Sequence, residues 1–234
     1  TSSPLDSLNN TQTSVENQPL YVGRYIWTWS PTKDQNDTNL TLSVAFSGWV
    51  DINEALRESE SIYSILQGEK YIGIGGGDEN GYWNQSALAL LNDAIVQGDL
   101  NSYEGIVYDI EEGDTGLLSS FRDSFAIAKN HGFKVIVTIS HSAPYGFADA
   151  AQLMQGFFVE TNIDALSPQL YTTGTEGSND YSEGNDVAWT DYYNATPAIV
   201  PSLVNGGTYF TDAQEYFATN HDIRIQGYIQ WTQD

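Results

Sequence analysis

The chain has 234 residues, 40% of them hydrophobic, and a formal net charge of −23 from 31 acidic against 8 basic residues. That is enough apolar material for one well-cored domain. The acid excess disfavours nucleic acid and anionic membranes as partners, and leaves neutral glycans, cationic polymers, metal ions or plain solubility as its use. There is no cysteine, so disulfides play no part, and no apolar run of about 18 residues that could span a membrane.

Residues 1 to 18 are rich in Ser, Thr, Asn and Gln and read as a flexible polar leader or linker, with a single domain over 19–234. The start, Thr1-Ser2-Ser3-Pro4, lacks the Met, basic stretch and apolar core of a signal peptide, so a processed or trimmed terminus is expected. Asn-x-Ser/Thr sequons at Asn9, Asn36, Asn39, Asn84 and Asn194 point towards a secreted protein.

From Tyr21 the chain alternates short β-branched or aromatic runs with helical patterns. The first strand, Tyr21 to Trp29, stops at Ser30-Pro31, and a polar loop with no room for a full helix leads to the second, Leu40 to Phe46. A helix is expected from Asp51 to Gln67, with Gly68 past its end, then a strand from Tyr71 into Gly75-Gly76-Gly77. A second helix spans Asn84 to Gln97, a strand Glu104 to Ile110, and a third helix Leu117 to Asn130. The remaining strands are Phe133 to Ile139, Asp164 to Tyr171, Ala198 to Leu203 and Ile223 to Trp231. Helices at Phe147 to Glu160, Asp186 to Asn194 and Thr211 to Asn220 separate them. Eight nearly continuous apolar strands alternating with helices predict a closed parallel (β/α)8 TIM barrel, its first and last helices reduced or missing. A doubly wound open sheet competes, but no Gly-x-Gly-x-x-Gly turn supports it.

The fourth strand carries the chemistry. In an extended strand residues i and i+2 share a face, so Val107, Asp109 and Glu111 point one way, with the two acidic Cβ atoms roughly 7 Å apart. At the carboxyl end of a barrel strand, where barrel sites form, ionised Asp109 would help keep Glu111 protonated as a proton donor. In so acidic a chain the pair can equally be two solvated side chains. The sixth strand puts Gln169 and Tyr171 on one face, and the eighth ends at Trp231; aromatic rings beside carboxylates suit the apolar faces of sugars. The acid-rich stretch Glu176 to Asp186 does not match a calcium-loop template and reads as solvated loop.

Together these motifs resemble glycoside hydrolase family 18, the chitinases, endo-β-N-acetylglucosaminidases and their inactive lectin-like relatives. The family's Asp-Gly-x-Asp-x-Asp-x-Glu is met by Glu104-Gly105-Ile106-Val107-Tyr108-Asp109-Ile110-Glu111. Its Ser-x-Gly-Gly region is similar to Gly73-Ile74-Gly75-Gly76, its Gln-x-Tyr to Gln169-Leu170-Tyr171, and its last strand to Gly227-Tyr228-Ile229-Gln230-Trp231. The resemblance covers residues 20 to 234 and implies substrate-assisted retention, an exception to the two-carboxylate scheme. Glu111 would be the acid, Asp109 the group orienting the substrate's 2-acetamido N–H, Tyr171 the donor to its carbonyl, and Trp231 the floor under the sugar. Gln169, Tyr25, Gly75, Gly76 and Tyr145 are candidates for lining the cleft. No metal or other cofactor enters these steps.

Two departures matter: Val107 replaces the family's middle Asp and Glu104 its first. Asp109 is therefore expected to lack the hydrogen-bonding partner that the middle Asp provides in the family, with weakened or pH-shifted activity. Glu112, on the opposite face, is a less suitable acid. The expected partner is chitin or another oligosaccharide containing N-acetylglucosamine, the expected state a monomer, and the expected location extracellular. The alternatives are a chitin-binding lectin-like protein without turnover, an endo-β-N-acetylglucosaminidase acting on N-glycans, and an unrelated barrel hydrolase using two carboxylates directly.

Overall fold

The computed structural model describes residues 19–32 and 39–234; the expected leader at 1–18 lies outside them, as do the sequon residues Asn9 and Asn36. Nine parallel strands follow in chain order: β1 (Tyr21–Trp27), β2 (Leu42–Phe46), β3 (Glu69–Gly75), β4 (Gly105–Asp109), β5 (Lys134–Ser140), β6 (Ala165–Gln169), β7 (Ala198–Ile199), β8 (Ser202–Leu203) and β9 (Gly227–Gln230). They hydrogen-bond in the order β5-β4-β3-β2-β1-β9-β8-β6-β7, and a further β5–β6 pairing closes the ring. The short pieces β7 and β8 are one barrel strand interrupted at Val200-Pro201, where proline supplies no N–H to the ladder. The result is the eight-stranded parallel barrel that the alternation of elements predicts.

Helices α1 (Ile52–Glu60), α2 (Gln85–Gln97), α3 (Leu118–Asn130), α4 (Ala150–Phe158) and α5 (Thr208–His221) pack outside. Among the described residues no helix lies between β1 and β2 or after β9. Inner and outer cores split by alternation along each strand. Tyr25, Val44, Tyr71, Val107, Ile136 and Ile229 fill the barrel, whereas Ile26, Ala45, Ile72, Ile106, Tyr108 and Val137 lie under the helices.

Local chemistry explains most boundaries. The Asn84 side chain accepts from the Ala87 N–H at 2.8 Å to start α2, and Gly98 ends it at φ 86. Two expectations are corrected. The first helix stops at Glu60, followed only by a 3-10 turn at Tyr63–Ile65. Gly68 must pass the Thr41 backbone, within 2.6 Å of where a Cβ would stand, so the chain unwinds to turn into β3. The helix expected at Asp186 to Asn194 is a 3-10 turn at Trp189–Tyr192. Asn185 and Asp186 sit at φ 52 and 60, outside the right-handed helical region, and Trp189 and Tyr192 are buried.

Candidate active site

Because all strands run parallel, their carboxyl ends form one rim, and the register places Gly75 beside Asp109 and Ser140 beside Gln169. Asp109 is 2% exposed at the end of β4. Its backbone is fixed from outside: the indole N–H of buried Trp83 donates to the Asp109 carbonyl at 2.7 Å. Gly75, at φ 96, would carry a Cβ only 2.3 Å from that same oxygen, so only glycine fits.

Inside, the carboxyl groups of Asp109 and Glu111 lie close enough to shift each other's titration. Gln169 Nε2 lies 3.4 Å from Asp109 Oδ1 and 3.2 Å from Thr138 Oγ1. A polar floor continues below: Thr138 donates to the Ser167 carbonyl at 2.8 Å, Ser167 meets Ser202 at 2.8 Å, and the Tyr25 hydroxyl meets Ser202 at 2.7 Å. Burial, then the neighbouring Glu111 charge, holds Asp109 well above the usual carboxylate range. Burial also raises Glu111, opposed by its hydrogen bonds to Asp109 and Gln169 and assisted by the charges of Glu112 and Asp78. Burial thus favours the protonated form at both carboxyl groups. Val107 is buried in the inner core and offers Asp109 no polar group; Gln169 is its side-chain partner instead.

Tyr171 is buried, and burial, followed by Tyr25 and the two carboxyl groups, raises its hydroxyl far above the ordinary value. Its ring faces Trp231 at 6.0 Å and 27°. Trp231 is the hub of an aromatic cluster with Tyr25 at 5.6 Å, Trp27 at 5.0 Å and Phe46 at 5.2 Å. Trp27 stacks on Trp29 at 5.4 Å, and Trp29 is 57% exposed. The wall thus runs from the carboxyl pair to solvent.

The structure thus brings Asp109, Glu111, Gln169, Tyr171 and Trp231 together. Tyr25, 1% exposed, supports Trp231 and Ser202 from below rather than lining a surface. Gly75 and Gly76 are buried backbone packing positions against Asp109 and Gly48; it is Gly77 whose Cα faces the Glu111 carboxyl oxygens. Tyr145 stands on the rim with its hydroxyl on Glu112 and 2.9 Å from the Gly77 carbonyl. Sequence reasoning missed Trp27 and Trp29 as a pair, although Trp27-Thr28-Trp29 at a strand end has the i, i+2 spacing of one face. It also missed Trp83, whose hydrogen bond to Asp109 spans 26 residues and leaves no local pattern.

The acidic stretch after Tyr171 binds its own backbone. The Glu176 carboxylate accepts from the N–H groups of Thr172 at 2.9 Å and Gly174 at 3.0 Å and from the Thr173 hydroxyl at 2.8 Å. Asp180 accepts from the Ser182 N–H at 3.0 Å. Among the described residues no three His, Cys, Asp or Glu side chains are grouped as a metal site.

No protein-family model matches the chain, and no curated protein matches it either. Solved structures share its fold. A chitinase A candidate from Streptomyces coelicolor aligns with a TM-score of 0.53 at 11% identity, over 91% of this chain and 92% of that one. A class V chitinase from Pseudomonas fluorescens Pf-5 aligns with a TM-score of 0.51 at 12% identity, over 86% of this chain and 75% of the other. At such identities the likeness is one of fold.

Proposed function

We propose that this barrel is a glycoside hydrolase of chitinase type, cleaving β-1,4 bonds next to N-acetylglucosamine by substrate-assisted retention. The observation that carries the reading is that Asp109 and Glu111 stand together at the carboxyl end of one barrel strand, close enough to shift each other's titration, with Gln169 Nε2 3.4 Å from Asp109 Oδ1. A two-carboxylate glycosidase needs its acids about 5–5.5 Å apart to retain configuration, or about 6.5–9.5 Å to invert it, one on each side of the sugar. Two carboxyl groups crowded onto one strand end do not face each other across a ring, so the nucleophile is taken to be the substrate's own acetamido oxygen. The fold shared with two chitinase-type structures is consistent with this reading.

Glu111 delivers its proton to the glycosidic oxygen as the bond to the anomeric carbon breaks. The acetamido oxygen bonds to that carbon, giving an oxazolinium ion. Asp109, left charged, accepts the acetamido N–H and stabilises the positive charge. The Tyr171 hydroxyl, kept protonated by its burial, donates to the acetamido oxygen and holds it in attack geometry. Water activated by Glu111 then opens the ring, returning the proton and the original anomeric configuration. Trp231, Trp27 and Trp29 offer rings to successive sugar faces. The partner is chitin or a related oligosaccharide, met outside the cell.

Release of a chromophore from an aryl N,N′-diacetylchitobioside between pH 3 and 9, in wild type and Glu111→Gln, tests this. Turnover lost in the variant supports it. Wild-type turnover of a substrate without the 2-acetamido group would sink the substrate-assisted step. Binding of chitin oligomers without turnover would establish the lectin-like reading, and cleavage of branched N-glycans alone the endoglycosidase.

A further inference from the structure

Tyr145, in the connection from β5 to α4, keeps 54% of its surface exposed, yet its hydroxyl is fully engaged. Its one proton lies between two acceptors, the Glu112 carboxylate and the Gly77 carbonyl. Those acceptors sit on different loops, after β4 and after β3. The neighbouring backbone is stitched in the same place. The Gly146 N–H donates to the Glu111 carbonyl at 2.8 Å and the Trp83 N–H to the Glu112 carbonyl at 2.9 Å. Gly146 has no room for a Cβ, which would stand 2.5 Å from Glu112 Cγ.

This geometry bears on Glu111. The Gly77 backbone is the wall beside its carboxyl group: a Cβ there would stand 3.2 and 3.3 Å from the two oxygens. Glu112 is the adjacent residue, and its carboxylate would swing to solvent without the phenol. We propose that Tyr145 is a positioning residue for Glu111: its hydroxyl clasps the loops after β3 and β4, fixing the wall beside the acid and holding the Glu112 charge near it. The proposal rests on Glu111 being the catalytic acid.

The groups facing Glu111 are Asp109 from β4, Asp78 from the loop after β3, Glu112, and Tyr171 after β6. Asp109 and Gln169 draw its titration down by hydrogen bonds, whereas Glu112 and Asp78 push it up by charge. Releasing Glu112 removes one upward push, so Glu111 loses its proton at lower pH.

The test is carboxyl-carbon NMR titration of Glu111 in the full chain, for wild type, Tyr145→Phe, Glu112→Gln and the double variant, with turnover measured alongside. The phenylalanine variant keeps the ring and is expected to melt within ~2 °C of wild type. Its Glu111 midpoint moves to lower pH, Glu112→Gln moves it further, and the double variant moves it no further than Glu112→Gln. In turnover, kcat falls about tenfold, the alkaline limb moves to lower pH, and KM stays within about twofold of wild type. An unchanged Glu111 titration in Tyr145→Phe overturns the proposal, as does a raised KM with kcat and the limb unchanged. A wild type without turnover on any substrate defeats the hydrolase reading, and the titration still decides the clasp.

Discussion

Asp109 and Glu111, two residues apart at one strand end, approach closely enough for each to shift the other's titration. A regular pleat would hold their Cβ atoms roughly 7 Å apart. The approach arises because β4 ends at Asp109, so Glu111 is carried by a bend rather than by the next pleat. The Glu111–Gly146 and Trp83–Glu112 backbone hydrogen bonds, at 2.8 and 2.9 Å, fix that bend.

Burial raises both carboxyl groups, so the native state binds a proton that the unfolded chain releases near pH 4. Stability from this pair is therefore greatest below that pH and declines as pH rises through the raised folded values. Asp109→Asn removes one of the two raised groups. Thermal melts should show the variant gaining several °C over wild type at pH 7–8 and little at pH 4, at about 2–4 °C per kcal/mol for a chain of this size. Its turnover should drop by ~10²-fold or more, since the charge facing the oxazolinium ion is lost. A variant less stable than wild type at pH 8 would contradict the raised titration of Asp109.

Gly77→Ala introduces a methyl 3.2 Å from Glu111 Oε2. The carboxyl group has to give by a few tenths of an ångström, and acid positioning is sensitive on that scale. Steady-state kinetics should show kcat reduced by about tenfold, with KM and melting temperature close to wild type. Unchanged kcat would mean that Glu111 is not held at this wall.

Trp231 and Trp29 differ in what their removal disturbs. Trp231 contacts four other rings, so Trp231→Ala should cost about 3–5 kcal/mol of stability as well as turnover. Trp29 is 57% exposed, and Trp29→Ala should leave stability within about 0.5–1 kcal/mol. Calorimetric titration with oligomers of increasing length separates the two: Trp29→Ala should weaken only the longer ones. Equal weakening of all lengths would remove Trp29 from the glycan wall.

Glu176 is pulled down to about 2 by hydrogen bonds from Thr173 and Thr172, against the upward push of partial burial. Its contribution to the loop is present above about pH 4.3, the ordinary glutamate value, and is lost as pH falls through about 2. Hydrogen exchange should find the amides of Thr172, Thr173 and Gly174 less protected in Glu176→Ala than in wild type at pH 7. Equal protection would show that the carboxylate does not hold this turn.

The barrel was legible because its evidence is local and repeated. Each strand is a short β-branched run, each helix has caps such as Asn84 and Gly98, and eight repeats of that pattern admit few architectures. The alternation that puts Val107 and Asp109 on one face is likewise written along the chain, which is why the carboxyl pair could be named in advance, and with it Tyr171 and Trp231. Contacts between distant segments were not legible. Only the folded barrel brings Gln169 to Asp109 across 60 residues, sets Gly77 rather than Gly75 against Glu111, and sinks Tyr25 under Trp231. The upward shift of both carboxyl groups was decided there too. Intrinsic acidity depends on residue type, but burial depth and the charges within a few ångströms depend on which chain segments close over the pair, and those are fixed only when the ring of strands is complete.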